Sequence, residues 1–204
     1  MVKLRDDENK KSYAKDKLKS VYSQLLDLDL DYSLSYVEWM LDKLIECRNH
    51  QTELAIRKQL AETNPRDSEY QRLKKALSKV LPKDYPNNLV SGDIVHVNFG
   101  VGFAGELSDG HYAVIISRKG SMYLIAPLTK ASQPDGDNTV SLENLGLPGG
   151  VQKGYINLGQ IRYVHFRRLK NIIELPNGRK HIAIEIVKEV LDKHNNIIQK
   201  QLTQ

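Results

Sequence analysis

A histidine and a threonine in the second half of the chain have side chains suited to chemistry on a phosphate. His111 follows Asp109-Gly110 at the start of an apolar run, and an imidazole can donate or accept a proton near neutral pH. Thr129 follows Pro127-Leu128 at the end of another apolar run, where its hydroxyl can donate to a phosphate oxygen. Both residue types are also common at strand ends for structural reasons. On these residues alone, both interpretations stay open.

Arginines supply the positive charge that such a site would need. Arg162 begins a basic strip within residues 162–168. Alternation along a strand would send Arg162 and Val164 to one side and Tyr163 and His165 to the other. We expect the arginine side to face phosphates while the aromatic side packs or stacks on bases.

A set of short strands positions these residues. The predicted strands cover residues 92–99, 111–117, 122–128, 138–142 and 154–166. They are rich in β-branched and aromatic residues, no helical pattern separates them, and a glycine-rich arm at 100–110 joins the first two. This pattern predicts a small curled antiparallel sheet or barrel.

Several short motifs follow one another in a recognisable order. They are Gly92-Asp93-Ile94-Val95, then Tyr112-Ala113-Val114-Ile115-Ile116-Ser117, then Pro127-Leu128-Thr129, then Gly159-Gln160-Ile161-Arg162 with Arg167-Arg168-Leu169. This succession resembles the PemK/MazF family of toxin endoribonucleases, from about residue 90 to the C-terminal helix. The resemblance implies an SH3-like barrel with a C-terminal helix. It also implies a homodimer that binds single-stranded RNA in a groove across the subunit interface.

The resemblance also implies roles for individual residues. In the family, an arginine before the second strand and a threonine or serine after the third stabilise and protonate the scissile phosphate. Thr129 occupies the second position, but His111 stands at the first, followed by Tyr112 where the family has proline. Gly154 and Gly159 stand where the family commonly has a serine and an acidic residue. A histidine can donate a proton, but it lacks the forked pair of donors that arginine offers.

Three outcomes are therefore open. The first, which we favour, is a type II toxin-like endoribonuclease that cleaves single-stranded RNA without a metal or other cofactor. In it His111 is the general acid or base, Thr129 donates to the phosphoryl oxygens, and Arg118, Arg162 and Arg167 contact RNA. The second is a nuclease that relies on another cation, such as Arg118 or Arg162. The third is a catalytically inactive module that binds nucleic acid or inhibits a protein target. The expected partners are RNA, an antitoxin protein and a second copy of the chain.

The first part of the chain has a different pattern, with apolar residues at helical spacing. It predicts helices over residues 10–30, 33–65 with a break near 49–50, and 67–82, followed by a Pro- and Asn-rich linker over 82–88. A last helix is predicted over 181–202. The predicted class is therefore α+β, with a helical region at 1–88 and a barrel domain at 89–204. The helices could pack on one another, on the barrel or on a second chain.

Composition sets outer limits on function. The chain has 204 residues, 40% hydrophobic residues and a net charge of +5, which supports a real core and mildly favours an anionic partner. No apolar run is long enough to cross a bilayer, so we expect a cytoplasmic protein without a membrane partner. The single cysteine, Cys47, and scattered histidines predict no zinc or other metal site.

Overall fold

A computed structural model of the chain describes residues 3–81, 85–100, 107, 110–130 and 138–203. The helices in these ranges are α1 (Glu8–Leu25), α2 (Leu30–Glu62), α3 (Ser68–Val80) and α4 (Ile184–Leu202). The strands are β1 (Asp93–Asn98), β2 (Gly110–Lys119), β3 (Met122–Thr129), β4 (Thr139–Leu142), β5 (Gly154–Asn157), β6 (Arg162–His165), β7 (Leu169–Lys170) and β8 (Lys180–His181). The chain is α+β, as predicted.

The described strands form one antiparallel sheet. Its main order is β4-β5-β3-β2-β1-β7, with β6 also paired to β3 and β8 also paired to β1. Neighbouring apolar runs set the register, so that Ile94 lies opposite Val114 and Ile115 lies opposite Ile125. Within the described strands the path is open, because β4 and β7 are its two ends.

Both faces of the central strands are buried, which explains why these strands read as continuous apolar runs. On one face, Ile94 and Val114 join a core that includes Val187 and Val190 of α4. The residues of the opposite face belong to a second core, with Val95, Val97, Ala113, Ile115 and Ile125 among its members. The strands are thus held from both sides, and their ends are well placed to fix side chains.

The prediction of one long strand at 154–166 is wrong in one respect. A 3-10 turn at Leu158–Gln160 divides it into β5 and β6. The side chain of Asn157 accepts a hydrogen bond from the backbone N–H of Gly159 at 3.1 Å and so closes this turn. Both halves pair with β3, β5 near Thr129 and β6 near Met122. The kink lets one strand, β3, carry two short partners on the same edge.

The predicted helices also need correction. α2 runs through Asn49 and His50 without the predicted break, because neither residue forbids helical backbone as proline does. α4 begins at Ile184, since Lys180 and His181 pair with β1 instead. Part of the predicted linker lies outside the described residues.

The chain divides into two compact units within α2, with Ile45 as the last residue of the first and Glu46 as the first of the second. In the first unit, none of the described residues is buried. The second unit holds the rest of α2, α3, the sheet and α4. The predicted division at residue 88 stays a prediction, which the fragments proposed below can test.

Arg167 joins helix and sheet inside the second unit. Its guanidinium donates to Glu46 at 2.8 Å, to Glu53 at 2.7 Å and to the carbonyl oxygen of Val80 at 3.1 Å. The Arg167 and Glu53 side chains are only 5% and 4% exposed. Arg57 also donates to Glu53, at 2.7 Å. Residues 46–80 are therefore bound to the sheet by a buried ion pair.

This arrangement predicts where the chain can be cut. The sequence alone predicts that a fragment starting near Asn88 folds as a β-rich domain. The structure favours an earlier start at Glu46, because a fragment from Asn88 loses all three acceptors of the Arg167 guanidinium, on Glu46, Glu53 and Val80. It also lacks Tyr85, whose ring lies 4.9 Å from that of Phe166. We expect fragment 46–204 to melt near the temperature of the full chain and fragment 88–204 to melt well below it.

Circular dichroism and thermal melts of the two fragments measure this difference. Equal, cooperative melting of both fragments would uphold the division at residue 88. Such a result would contradict the importance assigned to the Arg167–Glu53 pair.

Candidate functional site

His111 lies near the beginning of β2, at one end of the sheet. Its backbone is paired with Val97 of β1, which fixes the residue on a central strand. The side chain is half-buried. Its ring stands edge-on to that of Phe99, with the centroids 6.0 Å apart. A histidine held in this way has a fixed backbone and an imidazole that solvent can still reach.

Phe99 also brings Arg162 to this end of the sheet. The Arg162 guanidinium carbon lies 5.5 Å from the centroid of the Phe99 ring, at cation–π distance. The guanidinium also donates to the carbonyl oxygen of Gln160 at 3.3 Å and to the Gln160 side chain. Arg168 donates to the backbone carbonyl of Phe99 at 3.0 Å. His111, Arg162 and Arg168 therefore all contact Phe99.

The sequence does not indicate Phe99 as a site residue, and it indicates Arg168 only as part of the basic strip at 162–168. Phe99 follows β1 directly, and an aromatic residue there reads as one more core position. Arg168 stands beside Arg167, and alternation alone does not tell which of two adjacent arginines is buried. The available signal was the position of Phe99 at the mouth of the glycine-rich arm.

The strand register places Thr129 at the same end of the sheet. The last pair between β2 and β3 is Ala113 with Pro127. If this register is continued for two steps beyond the last observed pair, His111 is level with Thr129. Because side chains alternate along a strand, both residues belong to the face that includes Ala113. Thr129 is half-buried and its backbone is paired with Tyr155 of β5.

Arg118 lies far from these residues. It is seven positions beyond His111 on β2, a separation of about 23 Å along a strand. Its guanidinium donates to the carbonyl oxygen of Gly120 at 2.8 Å and lies 5.4 Å from the ring of Tyr123. The structure therefore separates Arg118 from His111, and the two cannot act on one phosphate.

Arg167 does not lie on an open surface as its RNA-binding role requires. Its guanidinium is buried against Glu46 and Glu53, so its placement gives no support to a contact with a phosphate. The predicted roles of the two sides of β6 are also reversed, because the side predicted to face phosphates is the one that packs in the core. Val164, on the Arg162 side, is buried in the core, whereas Tyr163 is 52% exposed. Burial of the alternate positions thus leaves the tyrosine side in solvent.

A second imidazole lies at the same strand end, on the opposite face. His96 is paired with Tyr112 across the ladder, and their ring centroids are 6.0 Å apart. A side chain at Gly110 would meet the His96 ring at 2.4 Å, so this close approach requires glycine. Burial lowers the pKa of His96, and the nearby charges of Lys170 and His111 lower it further. His96 is therefore a neutral imidazole at neutral pH.

Most of the predicted glycine-rich arm lies outside the described residues. Among the residues that the structure does describe, no group of three or more His, Cys, Asp or Glu side chains is arranged to hold a metal ion. Within the same ranges, no helix is both long and apolar enough to cross a membrane.

The comparisons place this sheet in a known family. The model of the PemK-like, MazF-like toxins of type II toxin-antitoxin systems matches residues 91–200, which is more than half of the chain. The match includes His111, Thr129 and Arg162, and it leaves α1, α2 and α3 outside. A comparison with curated proteins gives no match. The chain therefore belongs to the family of PemK-like, MazF-like toxins of type II toxin-antitoxin systems.

Proposed function

We propose that this protein is a toxin endoribonuclease that cleaves single-stranded RNA without a metal ion. One observation carries the proposal: His111 and Arg162 lie against the same ring, that of Phe99, at the strand end that the register shares with Thr129. Cleavage of a phosphodiester by its own ribose hydroxyl is accelerated by a proton-transfer group and by donors that stabilise the phosphoryl charge, and a cation and a hydroxyl can both serve as such donors.

The proposed reaction uses the ribose 2′-hydroxyl as the nucleophile. Neutral His111 accepts the proton of this hydroxyl while its oxygen bonds to the adjacent phosphorus. The bond from phosphorus to the 5′-oxygen breaks, and the leaving oxygen takes the proton from the His111 imidazolium. The products are a 2′,3′-cyclic phosphate and a free 5′-hydroxyl. Arg162 and Thr129 stabilise the negative charge that develops on the phosphoryl oxygens.

The substrate surface in this proposal is the Arg162 side of β6 together with the segment that follows the strand. Arg162 and Arg168, which both contact Phe99, supply its cations. Arg118 contacts a phosphate farther along the same strand of RNA.

Family membership supports further proposals about assembly. We infer that the sheet completes an SH3-like barrel, that two copies form a groove for RNA, and that an antitoxin protein binds the toxin. The place of action is the cytoplasm, where the RNA substrate is found. These proposals rest on the match over residues 91–200.

A second candidate function follows from two residues. His111 and Tyr112 stand where the family resemblance implies an arginine and a proline. A chain that lost the arginine could keep the fold and bind nucleic acid or inhibit a protein target without cleaving RNA.

The experiment that separates the two candidates is cleavage of labelled single-stranded RNA by the purified full chain, in the presence of EDTA. Endonucleolytic products that end in 2′,3′-cyclic phosphate and begin with 5′-hydroxyl support the nuclease. RNA binding without cleavage, over a panel of sequences that covers every trinucleotide, would overturn it in favour of the binding module.

The surface assignment gives a separate prediction. Arg162→Ala should lower RNA affinity on the order of 10-fold, because a charge-assisted contact to a phosphate is lost. The slope of log affinity against log salt concentration should fall by about 0.7, the value for one phosphate contact on a single strand. Fluorescence anisotropy titrations at several salt concentrations measure both quantities.

Arg66→Ala is the matched control for this variant. Arg66 is exposed in the turn between α2 and α3 and lies outside the family match. It should leave both affinity and slope unchanged. A larger loss with Arg66→Ala than with Arg162→Ala would move the RNA surface to the helical region.

A further inference from the structure

The first half of α2 presents a row of exposed apolar side chains at heptad spacing. The row, which we name the α2 seam, consists of Leu30, Leu34, Val37, Leu41 and Leu44. These residues are spaced four, three, four and three apart, the pattern of a helix that packs on other helices. Each of the five is between 42% and 70% exposed. The next positions in the repeat are Arg48 and Gln51, so the seam ends where the first compact unit ends.

A second row follows the same spacing on α1. This α1 seam consists of Ala14, Leu18, Val21 and Leu25. Leu18 and the adjacent Tyr22 are 59% and 65% exposed. A helix of this length without tertiary contacts is only marginally stable in water. The other three residues of the α1 seam, Ala14, Val21 and Leu25, are half-buried. The described first unit thus leaves the α2 seam exposed and covers the α1 seam only in part.

The charges beside the two seams are opposite. Lys15 and Lys17 flank the α1 seam, whereas Asp31 and Glu38 flank the α2 seam. α1 as a whole carries five lysines against two acidic residues, and residues 30–45 carry three acidic residues against one lysine. Charges at flanking positions determine which helices pair. An α1 helix is therefore attracted to an α2 helix and repelled by another α1.

The dimensions of the two helices also match. α1 has 18 residues and is about 27 Å long, and residues 30–45 are about 24 Å long. The five residues of the α2 seam, together with Leu18 and Tyr22 of α1, offer on the order of 700 Å² of exposed surface. This area is close to the roughly 800 Å² that each partner buries in a stable interface. Two such surfaces are sufficient for a specific dimer.

We propose that two copies of this chain associate through residues 8–45, with α1 of each copy packed on the α2 seam of the other. The result is a four-helix bundle with two-fold symmetry, in which the same surface serves both copies. This contact lies outside the residues that match the toxin family. It therefore differs from any pairing of the family domains and does not depend on nuclease activity.

The test measures self-association of the full chain. Leu41→Glu places a charge in the α2 seam, and Ser35→Glu adds the same charge at an exposed position of the same helix outside the seam. Leu41→Glu should raise the dissociation constant on the order of 100-fold, because a charge is buried without a partner. Ser35→Glu should leave it nearly unchanged. Sedimentation equilibrium gives both values.

Energy transfer between differently labelled copies gives an independent readout. Cys47 is the single cysteine of the chain and is exposed, so one batch can carry a donor there and another an acceptor. Mixing the batches should produce energy transfer that Leu41→Glu lowers and Ser35→Glu leaves unchanged, because any pairing of the family domains is the same in both variants. A monomeric wild type, or a dissociation constant that Leu41→Glu leaves unchanged, would overturn the proposal.

Charge reversal tests which helices pair. Lys15→Glu with Lys17→Glu should weaken self-association, and so should Asp31→Lys with Glu38→Lys. All four changes in one chain should restore it, because every contact between α1 and α2 is again between opposite charges. Failure of the combined variant to recover would contradict the α1–α2 pairing even if the chain is dimeric.

Discussion

Replacement of His111 by alanine is expected to slow RNA cleavage on the order of 10²-fold or more while leaving RNA affinity nearly intact. The imidazole moves a proton in the proposed reaction, whereas binding depends on the arginines. Single-turnover cleavage rates and anisotropy titrations separate the two effects. His111→Arg is equally informative, since it restores the residue that the family resemblance implies.

His96→Gln is the control for this prediction, because it removes the other imidazole at the same strand end. His96 lies on the opposite face of the sheet, against Tyr112 and Gly110. It should retain cleavage close to that of the wild type. The assignment fails if His111→Ala cleaves as fast as the wild type, and loss of cleavage in His96→Gln alone would transfer the proton chemistry to His96.

The central strands could be predicted from the sequence because their apolar runs are continuous and their neighbours are close in the chain. The division of the strand at 154–166 could not, because alternation continues through Leu158. It is the capping of Gly159 by the Asn157 side chain that forms the turn. A local hydrogen bond of this kind leaves no trace in hydrophobic periodicity.

The candidate site was predictable only in part. His111 and Thr129 stand out by their positions at strand ends, and family resemblance adds their proposed roles. The burial of the Arg167 guanidinium could not be predicted, since its partners Glu46 and Glu53 precede it by 121 and 114 residues. A sequence shows an arginine in a basic strip, but it does not show that a distant helix brings two carboxylates to it.

The second large effect is expected from Glu53→Ala, which should lower the free energy of unfolding by about 3–5 kcal/mol. This is the cost of leaving one member of a buried ion pair without its partner. Arg167 would remain buried with its best acceptor removed, and Arg57 would lose the same carboxylate. Thermal and denaturant melts of the full chain measure the loss. A drop of less than about 1 kcal/mol would show that the pair is hydrated in solution.

Glu46→Ala is the matched control, because Glu46 contacts the same guanidinium but its side chain is 40% exposed. Its removal should cost about 1 kcal/mol or less, as for ion pairs that water reaches. A double replacement, Glu53→Leu with Arg167→Met, should recover much of the stability that Glu53→Ala loses, because no charge is then left buried. The double variant therefore separates the cost of an unpaired charge from the loss of packing.

The pH dependence of stability tests the same pair without a change of packing. Burial alone would raise the pKa of Glu53, but hydrogen bonds from Arg167 and Arg57 outweigh it, so the pKa lies below the ordinary value of 4.5. A carboxyl with a lowered folded-state pKa stabilises the fold above its unfolded pKa. That stabilisation is lost as the pH falls through the folded value. The difference in unfolding free energy between wild type and Glu53→Gln should therefore be constant from pH 7 to about pH 5 and shrink below it. If this difference stayed constant down to pH 3, the charge of Glu53 would not be what holds residues 46–80 to the sheet.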